Sequence, residues 1–316
     1  MKLLISELRA LSRYVSREFY YTMTELIDAY GWKHIETQEL WGRPGSLASR
    51  LEQQFGEMPS VVLFWEGYDF LISVLAELRN LPIRICLFAD DLHWTSDSMR
   101  SKKLVSYMHC DVILAAYEPE FDRFYPGLRR NRTVVWAPHA ACPDFFLPFN
   151  ESPRSAVFLS GKIHPLYPLR EKMLKLYESG KYAIDLTAHP GYHCEYDHES
   201  DSTVGPSYAR NIHARLCGFT CSLKHHYTVA KFFEIPATGS LLLADASVRE
   251  PLRKLGFVEH EHYIAVDEDH LEEGVQYVLD PRNRELVDRI RRAGQELVLQ
   301  THTTRDRARL IDEACR

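Results

Sequence analysis

The chain has 316 residues, 45% of them hydrophobic, with 38 Lys and Arg against 44 Asp and Glu for a net charge of -6. That length can bury large cores and suits two domains of about 150 residues better than one. The acidic balance argues against a broad sequence-independent phosphate-binding surface, though not against a local basic groove. Residues 1–19 carry charges every few positions, which fits neither a signal peptide nor a span of about 20 apolar residues, so a soluble, cytoplasmic protein is expected. Seven cysteines without a repeated close pair predict reduced, buried thiols and no disulfide.

Residues 3–5 form a first short apolar run, and 13–30 show helical spacing (Tyr14, Phe19, Met23, Leu26, Ile27, Tyr30) until Gly31 stops it. Residues 60–65, SVVLFW, are a continuous run of strand length, followed by Glu66, Gly67 and a helix over 70–78. The strand signal repeats at 83–88, ending in Ala89-Asp90-Asp91-Leu92-His93, then a helix over about 98–109 leads to strands at 112–115 and 133–136. Apolar runs alternating with amphipathic helices predict a parallel sheet covered on both faces, a Rossmann-like α/β pattern. In such sheets ligands lie beyond the carboxyl ends of strands. Trp65-Glu66, the Asp90–His93 turn and Tyr117-Glu118 are those places. Asp90, Asp91 and His93 carry the groups that hydrogen-bond a polar ligand or move a proton; the bland alternative is a capped turn with an exposed histidine. His139 follows the 133–136 strand and either faces a ligand or bonds to backbone. Pro143, Pro148 and Pro153 forbid regular structure and predict a linker, placing the domains at 1–150 and 151–316.

In the second half, 155–159 is a strand run opening into Ser160-Gly161-Lys162, with a helix from about Pro168. A small-residue turn, a cation and a helix suit an anion, with Lys162 and Arg170 as countercharges, although Arg170 also reads as a routine surface residue and no Walker motif is present. After a strand at 184–187, residues 189–202 gather His189, His193, Cys194 and His198, without the spacing of a structural zinc site. A short helix is expected over 211–217.

The stretch KFFEIPATGSLLLAD, residues 231–245, places Glu234 on a helix that starts near 229 and ends at Thr238-Gly239 before a buried strand. Backbone N–H groups near Tyr227 and Thr228, with Lys224 and Lys231, are available to a diphosphate at that helix start. Glu234 suits hydroxyls instead, since a carboxylate repels phosphate. Beyond it lie a strand at 263–266, a helix over 271–279, a long arginine-rich helix from 285, and a final helix from about 303.

With these residues in view, the order of elements resembles the group-1 glycosyltransferases of GT-B fold, in particular their spore-maturation-type branch. The likeness rests on KFFEIPATGSLLLAD, the acidic DED turn at 267–269, the terminal AGxxxVxxxHT pattern, and VVLFWEGYDF, PIRICLFADDLH, CDVILAAY and VVWAPHAACPDFF in order. It implies two Rossmann-like domains facing across a cleft, an N-terminal acceptor side and a C-terminal nucleotide-sugar side, with the last helix packing back on the first domain. It further implies retaining transfer from a nucleotide-diphosphate sugar without metal or other cofactor. Glu234 would meet the ribose, Lys162 and Lys231 the diphosphate, and Asp90, Asp91 and His93 the transferred sugar or the acceptor. The family commonly carries two glutamates eight positions apart, and His226 stands where the first would be. A nucleotide-sugar epimerase and an inactive binding module are the alternatives. The acceptor is open among glycan, lipid-linked sugar, small molecule, protein and modified DNA base.

Overall fold

The computed structural model describes residues 1–192 and 195–316. It divides into two compact units: residues 1–12, 22–138 and 305–316 form the first, and 13–21 with 139–304 the second.

The first unit is built on a six-stranded sheet, β1 (Lys2–Ser6), β2 (Lys33–Glu36), β3 (Val61–Trp65), β4 (Arg84–Ala89), β5 (Val112–Ala115) and β6 (Thr133–Trp136), ordered β2-β1-β3-β4-β5-β6. Every pairing is parallel, with Val62 opposite Ile85 and Phe64 opposite Leu87. β3 is buried along its whole length, as strands covered by helices on both faces must be. The strand β2 was not foreseen, because its four residues KHIE lie at the sheet edge and carry only one long apolar side chain. The last helix, Thr304–Cys315, is tied into this unit by Asp312, which is fully buried. The carboxylate accepts from Trp32 Nε1 at 2.8 Å and from Lys2 and Arg316, and these bonds hold it below its ordinary range although burial alone would raise it.

The second unit has five parallel strands, β7 (Arg154–Ser160), β8 (Ile184–Thr187), β9 (Arg215–Thr220), β10 (Leu241–Asp245) and β11 (Ile264–Val266), ordered β11-β10-β9-β7-β8. Residues 215–217, expected in a helix, open β9, while the helix lies earlier at Gly205–His213. Gly218 breaks the apolar run that would have betrayed the strand. It also lets the helix Lys231–Ala237 approach the sheet, since a methyl at Gly218 would lie 2.9 Å from Ile235 Cγ2. That helix starts two residues later than expected. Gly294, in the helix Arg284–Thr301, likewise lies so near the His262 carbonyl oxygen that a methyl would sit at 2.6 Å.

The proline-dense stretch after β6 is not a bare tether. Cys142 and Phe145 are 1% and 4% exposed and belong to the second unit's core, and Asp144 accepts both Arg17 Nε at 2.9 Å and the Tyr21 hydroxyl at 3.2 Å. Cys86, Cys110, Cys142, Cys217, Cys221 and Cys315 are free and buried.

Candidate functional site

The strand order of the second unit reverses between β7 and β9, and the carboxyl ends there form the natural ligand position of such a sheet. At the end of β7 the Ser160 and Tyr208 hydroxyls are 2.7 Å apart. Gly161 follows at φ +101°, a conformation glycine adopts readily, and its missing side chain makes room for the Arg170 guanidinium, whose Nη1 would be 3.0 Å from a methyl there. Arg170, a candidate countercharge that also reads in sequence as a routine surface residue, is 3% exposed. Its Nη1 donates to the Lys162 carbonyl at 2.8 Å and its plane lies 4.0 Å from the Tyr167 ring centre, yet its Nε has no hydrogen-bond partner among the described residues.

Three more nitrogen groups share this neighbourhood. Lys231, at the first position of its helix, holds Nζ 5.3 Å from the Tyr208 ring centre. Burial alone would lower its ammonium, but Tyr208 and Glu234 outweigh that and raise it. His189, just beyond β8, is pushed down to about 4 by burial and then by Lys231, Arg170 and Lys162. Its Nδ1 accepts the Gly191 N–H at 2.9 Å, so the neutral ring carries its proton on Nε2 and remains a donor. Lys162 itself is exposed. Crowded cations are costly without a counter-anion, and a buried guanidinium N–H without a partner adds to that cost.

Glu234 follows one helical turn after Lys231 and is 5% exposed. Its carboxyl is raised to about 7, first by burial and then by Glu18 and Asp144, with Lys231 and His139 opposing. His139 does not bond to backbone through Nδ1: that nitrogen is 2.6 Å from Glu18 Oε2. The other Glu18 oxygen accepts the Ala140 N–H at 2.7 Å, and the rings of Phe19 and His139 stack at 5.4 Å. Glu18 escaped the sequence reading because only tertiary structure brings it to His139.

Of the other expected contacts, Tyr227 and Thr228 are buried, 0% and 3% exposed, while Lys224 and His226 are exposed on the preceding loop, His226 at φ +60°. Of the histidine loop, His189 and His198 are described, and their hydrogen bonds go to different partners. His198 is 5% exposed and its Nε2 donates to the Tyr14 carbonyl at 2.8 Å, a structural role, while His193 and Cys194 lie outside the described residues.

In the first unit, Asp90, Asp91 and His93 do share one turn. His93 Nδ1 is 3.6 Å from Asp91 Oδ1. The carbonyls of Asp91, Leu92 and His93 are held in turn by Lys103 Nζ, the Tyr125 hydroxyl at 2.9 Å and Lys103 Nζ again at 3.1 Å. Glu66, at φ +56° directly after β3, joins them: its carboxyl is raised to about 7 by burial and by Asp90, with Lys103 opposing. A non-glycine residue in that left-handed conformation stores strain typical of functional turns. The Glu66-Gly67 pair at a strand end was its sequence signal.

Residues 170–313 match the family model described as glycosyl transferase-like. Among solved structures, the chain is similar to sucrose-phosphate synthase from Thermosynechococcus elongatus, with 11% identity, TM-score 0.63, and coverage of 99% of this chain and 97% of that one. It is similar also to the Anabaena protein HepE in complex with UDP-glucose, with 10% identity, TM-score 0.59, and coverage of 99% and 98%. The chain has the GT-B fold, and its residues 170–313 are glycosyl transferase-like. A third GT-B likeness is the pneumococcal O-GlcNAc transferase GtfA in complex with UDP and GlcNAc, with 8% identity and TM-score 0.55; it covers 85% of this chain, which spans only 59% of that enzyme. No curated protein matches the GT-B chain in sequence. No helix among its described residues is long and apolar enough to cross a membrane.

Proposed function

We propose that this protein transfers a sugar from a UDP-sugar to an acceptor, with the donor held by the second unit. The observation that carries the reading is the cationic cluster of Lys162, Arg170 and Lys231 at the point where the strand order reverses, with the buried Arg170 Nε lacking a hydrogen-bond partner among the described residues. A diphosphate supplies that partner and relieves the crowding of positive charge. The same cations then neutralise the departing UDP as the bond to the sugar breaks, a stabilisation that grows with the developing charge and calls for no metal. Glu234, one turn away, accepts ribose hydroxyls, and its raised carboxyl marks a desolvated acceptor. UDP is favoured as the carrier because HepE and GtfA were both solved with it. The reading extends to a retaining outcome, a cytoplasmic reaction and, on the resemblance of the AGxxxVxxxHT pattern, the spore-maturation-type branch.

Calorimetry with UDP, followed by turnover assays over UDP-glucose, UDP-galactose and UDP-N-acetylglucosamine, tests this. Binding is expected in the micromolar range; no binding of UDP to the wild-type chain would sink the reading. One observation favours an inactive binding module: His226 is exposed at the position of the family's first glutamate. UDP binding without turnover of any UDP-sugar would establish that alternative.

A further inference from the structure

β7 and β8 run side by side at the edge of the second sheet, with Ser160 opposite Thr187, so the residues two places beyond each strand leave the sheet together. Those residues are Lys162 and His189. The imidazole thus emerges beside the cationic cluster, where Lys231, Arg170 and Lys162 all act on it. The three cations have the diphosphate as their partner in the reading above, and His189 has no part in it.

Three residues build the turn around this ring. Pro190 has no N–H, so the first backbone donor after the histidine is that of Gly191. Gly191 stands at φ +114°, where a side chain would be strained, and its N–H donates to His189 Nδ1 at 2.9 Å. The Tyr192 ring lies against the imidazole, with centroids 4.6 Å apart. A ring nitrogen that accepts an N–H does not also carry a proton, so Nδ1 is fixed as acceptor and Nε2 as donor. Among the described residues that Nε2 has no hydrogen-bond partner.

Charge works in the same direction as the turn. The charged groups that act on the ring, from the helix of Lys231, the helix of Arg170 and the loop of Lys162, are all cations, and with burial they push it down to about 4. An imidazolium would be a fourth positive charge in a crowded cluster. A neutral N–H meets an anion without that cost. A histidine that only shaped the loop would need the Gly191 bond, but not an unspent donor beside three cations.

We propose that His189 is a further ligand of the diphosphate, a neutral hydrogen-bond donor whose Nε2–H form is fixed by the Gly191 N–H. The assignment rests on the UDP-sugar reading above and adds to the site a donor that carries no charge. As charge builds on the departing diphosphate this bond strengthens, while the empty site is spared a fourth cation.

The test uses nuclear magnetic resonance of the full chain with isotope-labelled histidine ring nitrogens, the His189 signals being identified by their loss in His189→Gln. At neutral pH both the empty chain and its complex with saturating UDP should show the neutral Nε2–H form, and UDP should move Nε2 far more than Nδ1. Inorganic pyrophosphate, which lacks base and sugar, should move Nε2 in the same way. By calorimetry His189→Gln, which keeps a neutral donor near the Nε2 position, should hold UDP affinity within about threefold, whereas His189→Leu should lose about tenfold. The ratio of wild-type to His189→Gln affinity should be the same at about pH 6 and about pH 8, since an imidazolium ligand would make it rise as pH falls. The proposal is overturned by an imidazolium signal in the complex, by a ratio that rises toward acid, by equal affinities in the Gln and Leu variants, or by pyrophosphate that displaces UDP yet leaves Nε2 unmoved. UDP binding with Nε2 unmoved overturns the His189 assignment alone, whereas no binding of UDP to the wild-type chain overturns the donor reading and this assignment with it.

Discussion

Glu18 and His139 are 121 positions apart, yet Glu18 Oε2 sits 2.6 Å from His139 Nδ1 while Oε1 accepts the Ala140 N–H. Both side chains are buried, at 4% and 7% exposure. One carboxylate thus sets the histidine's orientation and pins the backbone after β6. Glu18→Ala removes the carboxylate that accepts from two buried donors and should cost about 3 kcal/mol, whereas Glu18→Gln keeps part of the bonding and should cost about 1 kcal/mol. Denaturant unfolding of the two variants checks this; equal losses would show that the bonding carries no weight.

Glu234 makes stability depend on pH in a defined window. Its folded carboxyl titrates near 7, while an unfolded glutamate titrates at about 4.3. Below the lower value the group is neutral in both states; above the upper it is charged in both, and burial penalises the folded one. Stability from this group is therefore full in acid and is lost as pH rises from about 4 to 7, by on the order of 3 kcal/mol. Glu234→Gln should flatten that part of the profile. Identical slopes for the variant and the wild type between pH 4.5 and 8 would refute it.

Arg170 joins charge to geometry, because its guanidinium fills the space beside Gly161 and bonds the Lys162 carbonyl. Arg170→Lys keeps the charge but loses the planar fork, and should weaken UDP by about tenfold; Arg170→Met should weaken it by about a hundredfold. Lys224→Ala, on the exposed loop, should change affinity less than threefold, since an exposed charge contributes about 0–1 kcal/mol. Calorimetry with UDP gives all three values, and a Lys224 effect as large as that of Arg170 would move the diphosphate site.

The approach of the helix Lys231–Ala237 to its sheet depends on Gly218. A methyl there meets Ile235 Cγ2 at 2.9 Å, so Gly218→Ala should cost about 1–3 kcal/mol through overpacking. Because Lys231 and Glu234 ride on that helix, UDP affinity should fall as well. Unchanged affinity in a destabilised Gly218→Ala would separate the packing from the site.

The sequence exposed what depends on local pattern. β5 and β6 fall where their apolar runs lie, and the Glu234 helix, its Thr238-Gly239 end and β10 follow from 15 consecutive residues. Pattern failed where packing decides. β9 holds a glycine because Ile235 needs the space, β2 is a charged edge strand, and the proline stretch is anchored by Phe145 and by Arg17 from far upstream. The site divides in the same way. Lys162, Lys231 and Glu234 lie in or beside recognisable motifs, but nothing local distinguishes Arg170 from a surface arginine or Glu18 from any helix-start glutamate. Their roles come from burial and from partners that only the fold supplies.

The buried thiols turn the molecule into its own unfolding reporter. Cys86, Cys110 and Cys315 lie in the first unit, and Cys142, Cys217 and Cys221 in the second. Burial raises the thiols of Cys110, Cys142, Cys217 and Cys221, so these four carry little reactive thiolate at neutral pH. With Cys194 replaced by Ser, alkylation followed by peptide mapping would time the opening of each unit separately, without a dye, a tag or a known substrate.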